Sequence, residues 1–415
     1  MNRVAIVGGC RTPFVKAAGV YSNYSFIDLG VHVVEALTSK LDLKHIDEVI
    51  FSTVLLDPRT PNAARELILR SNLPKTTSAH FISNNCISGL VAVNFLADAI
   101  ATGRVKVGLA GGAESMSRPS LTFSYKAEEF FFKLFRARSL AEKLSALTEF
   151  RPGYLAPKPP SPKEPSTGLT MGQHCEITTK EFKIPREVQD RIAYKSHQNA
   201  ARAQKEGLLS DEIIPFGGMQ LDNIVRADTS LEKLSKLKPV FDRSLNGTLT
   251  AGNSSSLTDG ASVICLMSEH EAQKQNKEIL GYIEQVQYSA INPADGLLMA
   301  PGLALPRLLE KADLTVKDID LFEIHEAFAA QVAANLEVWE KGWAKYPEIK
   351  AIGKIPEEKI NQNGGSLAIG HPFAATGGRL IISLVNSLKR KNLKRGVISV
   401  CAAGAMGAAM LITRD

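Results

Sequence analysis

The chain twice uses one plan: an apolar, β-branched run ends in a turn, the turn presents a cysteine or a histidine, and an aliphatic helix pattern follows. The first case runs from Phe81-Ile82-Ser83 through Asn84-Asn85-Cys86 into Gly89-Leu90-Val91-Ala92, closes at Gly103 and leads to a strand pattern at 105–109. In the C-terminal half, residues 319–324 read as a strand that delivers His325-Glu326 to a helix over 327–338. Gly370-His371-Pro372 then precedes a helix over 376–389, and strands at 396–400 and 408–412 place Cys401 at the intervening turn. Runs of period two alternating with longer patterns of period 3.6 require a sheet covered by helices, so the fold class is α/β layered. Further alternation at 3–7, 28–39, 48–53 and 63–70 continues the rule. Element order, rather than residue identity, makes the two halves read as a duplication.

Between them the character changes. Phe130-Phe131-Phe132 and Leu134-Phe135 stand among charges, six prolines from Pro152 to Pro165 crowd one stretch, and long polar helix patterns follow, including 189–205. Prolines at this density favour extended loops. The expected division is residues 1–120 plus 250–272 as one α/β half, 121–249 as an inserted loop or cap, and 273–415 as the other half. The Phe131 and Phe135 pair, spaced i, i+4, either buries against its own domain or faces a membrane or partner.

Lys plus Arg number 49 against 43 Asp plus Glu, a diffuse excess of +6 that argues against nucleic acid and suits an anionic small substrate. No run approaches the roughly 20 apolar residues of a membrane span, and Met1-Asn2-Arg3 leads directly into an apolar strand pattern, so neither a leader nor a transmembrane helix is expected. Five dispersed cysteines without a C-x-x-C pair point away from a disulfide scaffold or zinc cluster and towards a reducing, cytoplasmic setting.

Chemistry concentrates at few places. Cys86 joins a helix N-terminus, whose dipole favours thiolate, to small neighbours that leave access, with Asn84 and Asn85 as N-cap candidates. His371 lies in a glycine-flanked loop where an imidazole can point inward. Cys401 precedes Gly404 and Gly407, where free N–H groups could bind an anion. Neighbours in sequence point different ways, so Glu326 need not touch His325. Cys10, Cys175 and Cys265 read as packing residues, and His174 and His197 as surface residues.

Taken together, Asn84-Asn85-Cys86-Ile87-Ser88-Gly89-Leu90, Gly111-Gly112-Ala113-Glu114-Ser115-Met116-Ser117, Ala251-Gly252-Asn253-Ser254-Ser255, Asp259-Gly260-Ala261, His325-Glu326-Ala327-Phe328, Gly364-Gly365 with Gly370-His371-Pro372, and Cys401-x-x-Gly404 resemble the ordered signature set of the thiolase family. The resemblance covers nearly the whole chain and implies a thiolase-like duplicated fold with an inserted loop domain. It implies that Cys86 is the nucleophile that becomes an acyl-thioester, that His371 accepts its proton, and that Cys401 is the acid/base that handles the enolate and incoming CoA. The N–H groups of Cys86 and Ala403 would form one oxyanion pocket, and His371 with the group at 325 the other. The commonest family pattern has asparagine at 325. His-Glu-Ala-Phe is similar to β subunits of the fatty-acid oxidation multienzyme complex, whose cap insertion 121–166 also resembles.

By the same resemblance, Ser255 faces the pantetheine of CoA, Met171 and Met299 line its wall, and Arg226 approaches the adenine. The reaction implied is thiolysis of 3-oxoacyl-CoA by CoA to acetyl-CoA and a shortened acyl-CoA, with CoA as substrate and neither metal nor other cofactor. A biosynthetic acetoacetyl-CoA thiolase and a non-catalytic scaffold or lipid-binding subunit are the rival readings. Expected partners are a second copy in a homodimer core and a hydratase/dehydrogenase α subunit in an α2β2 assembly.

Overall fold

A computed structural model describes residues 2–415; Met1, the first residue of the stretch read above for a leader, lies outside the described residues. The strands are β1 (Val4–Arg11), β2 (Val15–Lys16), β3 (Glu48–Ser52), β4 (Ser78–Ile82), β5 (Val107–Glu114), β6 (Thr258–Ser268), β7 (Gly281–Ala290), β8 (Leu321–Ile324), β9 (Arg395–Ala402) and β10 (Met406–Thr413). The helices are α1 (Phe26–Lys40), α2 (Ala63–Arg70), α3 (Ser88–Ala101), α4 (Tyr125–Arg136), α5 (Leu140–Leu147), α6 (Met171–Glu181), α7 (Arg186–Lys205), α8 (Leu231–Ser235), α9 (Glu269–Lys274), α10 (Pro301–Lys311), α11 (Ala329–Lys341), α12 (Ser366–Ile369) and α13 (Thr376–Lys391).

Nine strands follow the order β4-β3-β5-β6-β1-β7-β10-β9-β8, with β2 paired to β6 off that path. The antiparallel β1–β7 pair is the centre of an approximate two-fold plan. Moving outward on either side, two antiparallel pairings lead to a parallel one: β1–β6–β5–β3 on one side and β7–β10–β9–β8 on the other. The duplication read from element order is thus a property of the sheet.

Alternation along each strand divides the core into layers. Ile264 and Leu266 of β6 join Ala408, Met410 and Ile412 of β10 in a central layer that also holds α3 and α13. Val263, Cys265 and Met267 face the opposite way, towards α1 and α2. Phe322, Ile324 and Leu411 face α10 and α11. Strands covered on both faces read as continuous apolar runs, which is why every residue of β5 and β6 is buried.

The crossing of α3 and α13 decides where the reactive loops lie. A Cβ at Gly89 would collide with the Ala374 carbonyl oxygen, and one at Gly377 with the Leu90 backbone nitrogen. The helices therefore meet backbone to backbone, just after Cys86 on one chain segment and just after His371 on the other. Between Glu114 and Thr258 no residue belongs to a named strand. That intervening segment is tied to the core by Arg11, which is fully buried and bonds Glu212 at 2.9 Å and Asp222 at 2.7 Å.

Several expectations need correction. Neither Asn84 nor Asn85 caps α3: the cap position is Ile87, without a side-chain bond. Instead the Ser88 hydroxyl accepts from Asn84 N–H and donates to the Asn85 carbonyl. Helix α4 buries Phe130 against Phe150 and Tyr154, while Phe131 is half-buried and Phe135 is 87% exposed. Of the i, i+4 pair, open between packing inward and facing outward, Phe135 turns outward, because Phe130 and not Phe135 meets the neighbouring aromatic rings. No helix among the described residues is long and apolar enough to cross a membrane.

Candidate active site

Cys86 follows β4 and precedes α3 on a loop whose backbone is set by Asn85 in the left-handed region, at φ 47°. Asparagine tolerates that region better than most residues. The Asn85 amide donates to the Ala403 carbonyl at 3.0 Å, which brings the turn after β9 onto the Cys86 loop. Cys86 is half-buried, and desolvation raises its thiol to about 12, against the opposing effect of N–H groups of Ala403 and of Cys86 itself at the sulfur. Glu114, fully buried, adds to the rise. Its carboxylate accepts from the Thr53 hydroxyl at 2.8 Å, from the N–H groups of Val54 and Leu55, and from Ala374 N–H at 3.3 Å, so it clamps the segments flanking the reactive loops.

Gly370, at φ 110°, swings the chain so that His371 N–H donates to the Thr258 hydroxyl at 2.8 Å. The ring nitrogen Nδ1 of His371 lies 2.6 Å from Thr376 Oγ1. His325 leaves the end of β8 with its N–H on the Ser399 carbonyl and its Nδ1 2.8 Å from Ser366 Oγ. The two imidazoles pack with centroids 4.1 Å apart. Burial, then the charge of Arg379, lowers His371 to about 3. Burial, His371 and Arg379 hold His325 well below its ordinary value. Both rings are neutral at physiological pH, and both Nε2 atoms are buried without a hydrogen-bond partner among the described residues. Glu326 points elsewhere, accepting from Ser196 at 2.7 Å, Asn361 at 2.6 Å and Leu367 N–H at 3.2 Å, in line with its expected independence of His325.

Cys401 is buried at the end of β9, and its thiol is pushed well above the ordinary value by burial and by the neighbouring Cys86 and Cys175. Cys10 and Cys265 are core residues as expected. Cys175, although packed, belongs to the cluster around Cys401, with Ala327, Phe328, Met171 and Phe241. Beyond Cys401, Gly404 N–H donates to the Glu164 carboxylate at 3.0 Å, so the segment between β5 and β6 reaches the turn.

Of the residues assigned to CoA, Met171 packs in the Cys401 cluster, and half-buried Ser255 donates its N–H to the Ala327 carbonyl at 2.9 Å. Met299 does not line an open wall: it has no exposed surface and packs with Leu303, Val338 and Trp343 in a separate cluster, where its sulfur accepts from Asn335. Arg226 is exposed, and its backbone N–H donates to His197 Nδ1 at 3.2 Å. His197 and His174 are buried rather than superficial, the latter with Nε2 2.6 Å from Thr167 Oγ1, because loops of the same segment between β5 and β6 fold over the polar helices that carry them. Sequence reasoning missed the hydroxyls of Thr258, Ser366 and Thr376 and the carboxylate of Glu114. Only Thr376 and Ser366, five residues to either side of His371, stood near enough in sequence to draw attention.

A close, tilted pair of neutral imidazoles, a thiol contacted by two backbone N–H groups and a second buried thiol can accept a proton, bind an oxyanion and deliver a proton to carbon. The thiolase N-terminal domain matches residues 4–270 and the thiolase C-terminal domain residues 277–414. The 3-ketoacyl-CoA thiolase of Pseudoalteromonas translucida is 40% identical, with 99% of this chain and 97% of that protein covered. The 3-ketoacyl-CoA thiolase of Aeromonas salmonicida is 41% identical over the same shares. Human mitochondrial 3-ketoacyl-CoA thiolase and Bacillus anthracis acetyl-CoA acetyltransferase each superpose with TM-score 0.83 at 29% identity, covering 100% of this chain and 99% of theirs. With both halves matched in order and similarity extending from end to end, the chain belongs to the thiolase family.

Proposed function

We propose that the protein is a degradative 3-ketoacyl-CoA thiolase of fatty-acid β-oxidation. The observation that carries this reading is the Cys86 sulfur contacted by the N–H groups of Ala403 and Cys86, on a loop tied to the Cys401 turn. His371 Nε2 takes the Cys86 proton as the sulfur attacks C3 of 3-oxoacyl-CoA, and the oxyanion at C3 rests on those two N–H groups. The C2–C3 bond breaks, the enolate oxygen of acetyl-CoA accepts hydrogen bonds from His371 and His325, and the Cys401 thiol protonates C2. Incoming CoA then gives its proton to the Cys401 thiolate and attacks the acyl-thioester, and Cys86 recovers its proton from His371. Each oxyanion donor is worth about 3 kcal/mol of barrier. CoA lies along Met171 and Ser255 with Arg226 towards the adenine, a guanidinium suited to stacking on an aromatic plane.

Two surfaces support the expected assembly. Strand β4 is an edge of the sheet with every residue at least partly exposed, which suits a homodimer core. The α4–α5 hairpin exposes Phe132, Phe135, Leu140 and Leu144 beside Lys133, Arg136 and Lys143, which suits an α subunit or peripheral contact with an anionic membrane in the cytoplasm. The test is the fall in ultraviolet absorbance of magnesium-complexed 3-oxoacyl-CoA on adding CoA, across a chain-length series. Turnover of longer substrates supports the reading. Strong preference for acetoacetyl-CoA points to the biosynthetic rival, and no turnover points to a scaffold.

A further inference from the structure

We propose that two buried hydroxyls hold the paired imidazoles in opposite tautomers, and that Ser366, oriented by Arg379, is the positioning residue that makes His325 a standing Nε2–H donor. The catalytic consequence rests on the thiolase reading; the tautomers do not.

Ser366 is fully buried, with its oxygen 3.0 Å from Arg379 Nη2 and 2.8 Å from His325 Nδ1. A guanidinium carries donors only, so Arg379 occupies a lone pair of that oxygen. The hydroxyl hydrogen is left one acceptor, Nδ1 of His325. Reversing the bond would strand that hydrogen in the interior, at the cost of an unmade buried hydrogen bond. Nδ1 therefore accepts, and the ring proton resides on Nε2. Arg379, itself fully buried, is aimed by Glu323 at 3.4 Å.

At His371 the same reasoning gives the reverse. Thr376 Oγ1 donates to the Pro372 carbonyl at 3.3 Å, and a carbonyl can only accept. The hydroxyl hydrogen is committed there, so the 2.6 Å contact with His371 is made by Nδ1–H donating to Thr376. Nε2 of His371 then keeps its lone pair. The two Nε2 atoms, otherwise unpartnered, are chemically distinct: one is a base ready for a thiol proton, the other a donor ready for a developing oxyanion. A pair free to exchange tautomers would spend part of its time with two bases or two donors.

The test uses the full-length protein with 15N-labelled histidine. Long-range 1H–15N correlations at neutral pH, assigned with His325→Asn and His371→Asn, should place the proton on Nε2 in His325 and on Nδ1 in His371. Ser366→Ala should move His325 away from the pure Nε2–H form and lower kcat roughly tenfold to a hundredfold, with KM within about twofold. In a His325→Gln background, whose amide donates without a tautomer, Ser366→Ala should add less than about a twofold further loss. Identical tautomers in the wild-type rings, or an equal Ser366→Ala penalty in both backgrounds, would overturn the proposal. If Ser366→Ala does not fold, the wild-type spectrum still decides. An absence of thiolysis in the wild-type enzyme would sink the functional reading while leaving the spectrum to judge the tautomers.

Discussion

The side-chain amide of Asn85 donates to the main-chain carbonyl of Ala403 at 3.0 Å, joining the two halves of the chain at the residue whose N–H contacts the Cys86 sulfur. Losing this bond removes a restraint on the main chain at Ala403. Asn85→Ala is expected to lower kcat for thiolysis at least tenfold and to cost about 1–3 kcal/mol of stability, from the lost bond and from a left-handed backbone that alanine resists. Asn85→Gly should recover stability without recovering kcat. Denaturant melts beside initial rates read both, and a glycine variant with full activity would contradict the role of the bond.

The α3–α13 crossing has no room for a methyl group. Gly89→Ala is expected to cost about 1–3 kcal/mol by overpacking and to reduce activity, because the Cys86 and His371 loops both hang on that contact. Combining it with Gly377→Ala should cost less than the sum, since both push the same two helices apart. Urea unfolding of the two single variants and the double variant supplies the cycle.

His197 should make folding sensitive to acid. Burial, then Arg226, lowers its folded value to about 4, while the unfolded chain titrates near 6.5. Between those values the unfolded state binds a proton that the native state refuses, so stability is lost as pH falls from about 6.5 towards 4. The stability lost across that window amounts to roughly 3 kcal/mol. Glu323, raised by burial to about 8, slopes the other way over pH 4.5–8, so the difference between proteins isolates His197. His197→Asn, which keeps an acceptor for Arg226 N–H, should flatten the acid limb of the stability curve. An unchanged difference between pH 7 and pH 4.5 would count against the linkage.

Cys401→Ala should lower thiolysis about a hundredfold to ten-thousandfold, as expected for loss of an acid/base group. The fold should survive, because among the described residues the thiol makes no side-chain hydrogen bond in the core around Phe328 and Met171. Steady-state rates with circular dichroism as the folding control would read this, and unimpaired turnover would remove Cys401 from the chemistry.

What the sequence carries is local order. The helix at 63–70 coincides with α2 (Ala63–Arg70), and the strand at 48–53 differs from β3 (Glu48–Ser52) by one residue, because period and turn chemistry are written within each segment. Cys86, His371, His325 and Cys401 were legible for a related reason, since each stands where a strand or turn hands over to another element. Their partners were not. Ser366 meets His325 across 41 residues and Thr258 meets His371 across 113, contacts that only the assembled sheet creates. His174, His197 and Met299 went wrong in the same way: a polar helix pattern does not reveal what later chain will cover it, and a methionine beside Leu298 does not reveal which cluster it turns into. The direction of Phe131 and Phe135 stayed open because i, i+4 spacing defines a stripe without saying whether that stripe or the next one meets the neighbouring rings.

The central claim is that Cys86 carries the acyl group. Mixing the protein with a 3-oxoacyl-CoA in the absence of free CoA, quenching in acid and weighing the intact chain and its peptides tests this directly. The account predicts a mass increase of one acyl group confined to the peptide containing Cys86, discharged by added CoA and abolished in Cys86→Ser. An acyl group on Cys401 or Cys175 in the wild-type protein, or undiminished labelling of Cys86→Ser, would contradict it.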